Sequence, residues 1–252
     1  MVKLANAKYD SFGVLVIHNE DLEAFAYRQL SDYKKGYFKE PHPLDADDFV
    51  ENYLGIKVGY HALSLNGSLY GATALADGLL PILDSRGEVS LRETKKGQAF
   101  VDCEACRNCE TTIRFTLVHE SGHSQFDGNV DLKRLRMADS LTDTYADLFG
   151  QSAMRGKRTP REWMELHANR YAVYLLMPKR FVRKLWVKHR SAYFSGKRIT
   201  SSSPKRLWLV ISAIAKDLCV AKYSIALRLF ELDLISREMF NSLKLDKWEA
   251  RQ

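Results

Sequence analysis

The chain has 252 residues, 46% hydrophobic and 27% charged, which is the balance of a globular protein with length for one large domain or one domain and an appendage. No apolar run approaches the ~18 residues a membrane helix requires, and the short patch Phe12 to Ile17, soon followed by acids, makes a poor export signal, so a cytoplasmic protein without membrane partners is expected. The net charge of +7 is unevenly placed: ten Lys or Arg and no Asp or Glu fall between Lys179 and Arg206, a block suited to an anionic partner or equally to a solvated helix face.

In chain order, residues 1–43 read as an N-terminal extension. The stretch "DADDFVENYLGIKVGYHAL" opens with acids and shows helical spacing at Phe49, Tyr53 and Leu54, until Gly55 breaks it and alternation begins. "GATALADGLLPIL" and "GEVSLRETKKGQAFVD" continue as strands, divided by the turn-prone Asp77-Gly78 and Asp84 to Gly87. A small antiparallel sheet is therefore expected from about Ile56 to Asp102. After "CEACRNC", the segment "TTIRFTLVHESGHSQF" changes to helical period, with Phe115, Val118 and Phe126 apolar and His119 and His123 on an adjoining stripe. A polar stretch, "DSLTDTYADLFGQSAMRGKRTP", precedes a second helix, "REWMELHANRYAVYLLM", which Thr159-Pro160 starts and Pro178 ends. "SGKRITSSSP" belongs to a basic, flexible connection over 191–206. Residues 207–252 form a helical C-terminal segment with the cadence of a helix-turn-helix: a break near Val220, then a second helix with Arg228 exposed. That helix offers few base-reading side chains, so packing or contact with a protein is favoured over the DNA contact that the basic block leaves open.

The chemistry is concentrated in His119-Glu120-Ser121-Gly122-His123. Residues four apart share a helix face, so the two imidazoles could hold one ion between them. Glu120, a step round the helix, could take a proton from a water attacking a carbonyl, while zinc supplies acidity by lowering the pKa of its water toward ~7. HExxH alone is only moderately specific, and two histidines on an ordinary helix are the competing reading. A third ligand separates the two. The extended pattern HExxHxxGxxH fails, because Phe126 and Asn129 stand at its glycine and third histidine. The second helix offers Glu162, Glu165 and His167, among which spacing does not choose.

Two blocks carry a family resemblance. "RFTLVHESGH", Arg114 to His123, and Glu165 to Pro178, "ELHANRYAVYLLMP", resemble the ImmA/IrrE-type metallo-endopeptidases, whose hallmarks are R-F-T-x-x-H-E-x-G-H and E-x-x-A-N-x-F-A-x-x-L-L-M-P. The clear change is Tyr171 for phenylalanine. The resemblance extends more loosely from Leu44 to Ile235. It implies an α+β, zincin-like domain over 44–190, with a small antiparallel sheet packed against the HExxH helix and a second ligand-bearing helix. It also implies one catalytic Zn2+ on His119, His123 and Glu165, with Glu120 as general base. The substrate it implies is a helix-turn-helix repressor, often encoded beside the protease on mobile elements, whose cleavage induces transcription. Asp127 departs from the family, where histidine is common; it either orients an imidazole or faces solvent near the helix end. His167 is then a half-buried or surface histidine rather than a ligand.

Other features stay open at this level. A donor for an anionic tetrahedral intermediate could come from Tyr145, Arg170, Tyr171 or Tyr174, with core packing the default for Tyr171. A peptide could add as a strand at a sheet edge within "SLYGATALADG", where Gly71, Ala72 and Ala74 are small. Cys103, Cys106 and Cys109 suit a plain surface loop, a second metal site completed by Cys219 or a histidine, or a thiol switch that caps the zinc. The rival to a peptidase is a non-catalytic zinc-binding regulator that engages DNA or a repressor; a weaker one is an enzyme acting on a non-peptide bond.

Overall fold

In a computed structural model, the chain is described at residue 4 and over residues 7–84, 86–133, 158–194 and 204–243. It divides into two units: residues 1–35 with 45–175, and residues 36–44 with 176–252.

The first unit begins with a small hairpin of β1 (Lys8–Tyr9) and β2 (Leu15–Val16), whose turn is closed by the Asp10 carboxylate accepting from the N–H groups of Phe12 and Val14. Helix α1 (Asn19–Tyr33) buries Leu22, Phe25, Ala26, Gln29 and Leu30, the i, i+3, i+4, i+7, i+8 stripe of an amphipathic helix. Although α1 lies in the segment read as an extension, its Phe25 ring meets Phe126 at 6.0 Å and Tyr171 at 6.2 Å, on the two helices that carry the motifs. The helical spacing at Phe49 and Tyr53 is realised as a short π-helical turn, Asp48–Tyr53, with Phe49 buried between the rings of Tyr33 and Tyr53.

Three short strands make the central sheet: β3 (Val58–Tyr60), β4 (Gly71–Thr73) and, between them, the fully buried β7 (Ala99–Val101). Strand β7 runs parallel to β3 and antiparallel to β4. The remaining strands, β5 (Gly78–Leu83) and β6 (Val89–Thr94), form a separate antiparallel hairpin around the predicted turn at 84–87. The expectation of one antiparallel sheet is thus corrected to a mixed sheet and a hairpin. Alternation marks which residues are extended, but the pairing is set when the chain, having folded the hairpin on itself, returns to fill the gap between β3 and β4.

From β7 the chain turns through the cysteine loop into α2 (Glu110–Phe126), which packs on β4 and β7. Helix α3 (Pro160–Leu176) starts at a capping box: the Thr159 N–H donates to the Glu162 carboxylate at 2.6 Å, and the Glu162 N–H donates to Thr159 Oγ1 at 3.3 Å. Pro160 occupies the first helical position, where its missing N–H costs nothing. Helix α3 meets α2 at Gly122, where an added Cβ would lie 3.0 Å from the Ala168 Cα and 3.3 Å from the Tyr171 ring.

The second unit is helical: α4 (Lys179–Phe194), α5 (Pro204–Leu218), α6 (Lys222–Glu231) and α7 (Arg237–Ser242). In α4, Phe181, Val182, Leu185 and Trp186 are buried, and Lys179, Arg180, Arg183, Lys184, Lys188 and Arg190 are exposed, so six of the ten residues of the basic block form the solvent face of an amphipathic helix. The connection expected over 191–206 lies in large part outside the described residues. Helices α5 and α6 are joined by a tight turn with Cys219 at φ +50°, which places a break next to Val220. Arg228, expected on the exposed side, is instead 2% exposed: its guanidinium donates to the Met177 carbonyl and the Glu231 carboxylate. It falls on the same face as Ile225 and Leu229, which turn α6 into a packing helix. No helix among the described residues is long and apolar enough to cross a membrane.

Candidate metal centre

His119 and His123 sit on α2, and Glu165 comes to them from α3. His119 Nε2 and His123 Nε2 are 3.0 Å apart, and each lies 3.3 Å from a Glu165 carboxylate oxygen. A tetrahedral ion with bonds of ~2.0–2.1 Å spaces its ligand atoms about 3.3 Å apart, so each of these pairs has the spacing of two zinc ligands, His119 meeting Glu165 Oε2 and His123 meeting Glu165 Oε1. Among the described residues this is the group of His, Cys, Asp and Glu that could hold a metal ion.

The ring orientation supports the same fit. His119 Nδ1 lies 2.8 Å from Asn169 Oδ1, and His123 Nδ1 lies 2.6 Å from Asp127 Oδ2. Both acceptors require Nδ1 to carry the proton, which turns the Nε2 lone pairs toward the common centre. Two lone pairs and a carboxylate aimed at one point repel each other unless a cation or shared protons lie between them. The electrostatics reflect that need. Burial opposes charge on His123, but hydrogen bonds to Asp127 and Glu165 outweigh it and hold the imidazolium favourable well above its ordinary range. Burial likewise opposes charge on Glu165, and hydrogen bonds from both histidines overcome it, holding the carboxyl well below its usual range.

The candidates for a third ligand differ in position, and Glu165 is the one that comes to the two histidines. Glu162 is spent on the cap of α3. His167 projects from another side of α3 than Glu165 and Asn169; it is 2% exposed rather than at the surface, stacked on Trp163, with no hydrogen bond to a described residue at either ring nitrogen. Burial, helped by Arg158, pushes its pKa down to about 4, so it sits there neutral. Asp127 is 1% exposed, so of its two readings the orienting one holds.

Glu120 is 6% exposed beneath the edge strand β4. Thr73 Oγ1 lies 2.6 Å from Glu120 Oε2, and a Cβ on Gly71 would lie 2.7 Å from Glu120 Oε1. Gly71 is therefore small because Thr116 and the glutamate together occupy the space a side chain would need. Strand β4 pairs with β7 alone among the described residues. Tyr70 and Ala74 bond toward β7, which leaves the main-chain groups of Gly71 and Thr73 on the open edge. Sequence reasoning singled out Gly71 as small but missed Thr73 and the role of Asn169. Asn169 had a signal, one helical turn after Glu165; Thr73 had none, being 47 residues from Glu120.

Of the suggested oxyanion donors, Tyr171 is spent in the core, its hydroxyl donating to Gln29 Oε1 at 2.5 Å. Tyr174 is buried, and Tyr145 lies outside the described residues. The cysteine loop does not join the centre. Cys106 is buried between the Tyr70 carbonyl (3.9 Å) and Thr116 (3.8 Å), Cys109 is exposed at the N-cap of α2, and no described thiol belongs to a metal-competent group. No protein-family model matches the chain, and no curated protein matches it.

Proposed function

We propose that the chain is a zinc-dependent endopeptidase with a zincin-like site, in which His119, His123 and Glu165 hold the ion and Glu120 is the general base. The observation that carries this reading is the meeting of His119 and His123 with the two carboxylate oxygens of Glu165, at 3.3 Å each, with Glu120 one residue along the same helix as His119, beside an edge strand that pairs on one side alone among the described residues. Zinc held there would supply Lewis acidity to the attacking water and to the scissile carbonyl. The chain's own residues do the rest. Asn169 and Asp127 hold the two imidazoles in the Nδ1–H tautomer. The main-chain groups of Gly71 and Thr73 are placed to pair with an extended peptide, by the strand addition common in peptide recognition. Glu120 takes the proton of the attacking water and returns it to the departing amine, which conserves protons over the cycle.

The resemblance in the two motif blocks supplies the substrate class: a helix-turn-helix repressor, cut in the cytoplasm. The test pairs zinc stoichiometry with cleavage of a helix-turn-helix protein encoded beside this chain, for wild type, Glu120→Gln and Glu165→Ala. The expected result is one zinc and cleavage in wild type, zinc retained with activity down about 10²–10⁴-fold in Glu120→Gln, and zinc lost in Glu165→Ala. A wild type that binds zinc and the repressor without cutting it would replace the peptidase with a binding regulator.

A further inference from the structure

We infer that Thr73 is the positioning residue for Glu120, and so ties capture of a substrate strand to alignment of the general base; this rests on the metallopeptidase reading. Thr73 Oγ1 lies 2.6 Å from Glu120 Oε2 and 2.9 Å from the main-chain carbonyl oxygen of Glu120. A threonine hydroxyl has one proton to give, and the ionised carboxylate, charged and closer, takes it. The second oxygen lies within reach as well, so the hydroxyl is seated against both the side chain and the backbone of α2. A carboxylate one residue from a metal ligand is otherwise free to rotate about its last torsion, which is broad and weakly restrained. Thr73 removes that freedom.

The consequence is a division of labour between the two oxygens. Oε2 is committed to Thr73. Oε1 lies against Gly71, where a Cβ would stand 2.7 Å away, and no described residue hydrogen-bonds it. Oε1 is therefore the oxygen left to accept a proton: the O–H bond of the attacking water breaks, Oε1–H forms, and the proton then goes to the leaving amine. Thr73 donates to Oε2 throughout.

The same residue faces the substrate. In β4 the Thr73 side chain points to α2, while its N–H and C=O lie on the open edge. A peptide strand added there would hydrogen-bond the residue that holds Glu120. Binding would then stiffen the threonine and the base together, which turns strand-pairing energy into orientation of the reacting group.

The test uses the full chain loaded with cobalt(II) in place of zinc, titrated with acetohydroxamate and followed by the visible absorption of the metal. A hydroxamic acid must pass a proton to the general base as it binds, so its affinity reads the alignment of Glu120. Thr73→Val removes the hydroxyl at nearly constant shape, and Thr73→Ser keeps it. One cobalt per chain is expected in wild type and all variants. Acetohydroxamate affinity should fall ~tenfold or more in Thr73→Val and in Glu120→Gln, the size of one hydrogen bond to a charged group, and stay within about twofold in Thr73→Ser. In a repressor-cleavage assay the loss in Thr73→Val should fall on kcat rather than KM. Thr73→Val binding acetohydroxamate as wild type does, beside a weakened Glu120→Gln, would overturn the positioning role. If Thr73→Val does not fold, Thr73→Ala against Thr73→Ser makes the same comparison. A wild type that takes up no cobalt, or a Glu120→Gln variant that binds acetohydroxamate unimpaired, would instead overturn the metallopeptidase reading itself.

Discussion

Asp127 shows how much one buried acceptor can decide. It sits four residues after His123 on the same turn of helix, 1% exposed, and fixes which ring nitrogen of His123 faces the centre. Asp127→Ala should weaken zinc binding by ~10–100-fold in a chelator competition, because the imidazole loses both its orientation and its charged partner. Asp127→Asn, which still offers an oxygen to Nδ1–H, should lose less; equal affinities across the three proteins would remove Asp127 from the site. Cys109 makes a separate, pH-dependent prediction. Hydrogen bonds from the Thr111 and Thr112 side chains and the Thr112 N–H stabilise its thiolate and lower its pKa to about 7. The thiolate is the reactive form, so the alkylation rate of Cys109 should rise through pH 7 and be near its plateau by pH 8. Burial raises the pKa of Cys106 instead, so it should label last at every pH, which mass spectrometry of timed iodoacetamide samples would check.

Between elements, the site depends on how closely α2 and α3 approach. Gly122 stands at that crossing, with the Ala168 Cα only 3.0 Å from where a Cβ would be. Gly122→Val should push α3 away, cost about 1–3 kcal/mol by overpacking, and move Glu165 out of reach of the two histidines. Denaturant melts and zinc stoichiometry together check this, since the variant should lose both stability and metal. At the start of α3, Thr159→Ala removes one half of the capping box and should cost ~1 kcal/mol with zinc stoichiometry unchanged. Loss of metal in that variant would show that the helix start and the ligand are coupled more tightly than a fray of one turn allows.

Over the molecule as a whole, an ion held by groups from two helices that meet only in the folded chain would stabilise that fold by mass action. Chelation should therefore lower the melting temperature, and zinc at ~1,000 times its Kd should restore about 4 kcal/mol of stability; scanning calorimetry with and without chelator measures it. The large-scale organisation was legible only in part. The hydrophobic periods marked α2, α3, α5 and α6, and the turn residues at 77–78 and 84–87 marked the ends of strands, because both signals are local. The mixed sheet was not legible, since a parallel pairing of Val58–Tyr60 with Ala99–Val101 depends on a return of the chain about forty residues later. Arg228 was misplaced for a related reason: a charged residue on a short helix reads as exposed until its partners, the Met177 carbonyl and Glu231, are known.

At the site, the sequence by itself determined the local half. Two histidines four apart on an apolar-periodic helix, with Glu120 between them, bring two imidazoles onto one face with a carboxylate beside them by helix geometry alone. It also narrowed the candidates for a third ligand to Glu162, Glu165 or His167. Only the tertiary structure brings one of them, Glu165, to the two histidines, because that depends on which face of α3 meets α2, and Gly122 against Ala168 sets that face. The same holds for Thr73. Its bond to Glu120 exists because β4 lies over α2, and no spacing along one chain encodes a contact made by folding a strand onto a helix.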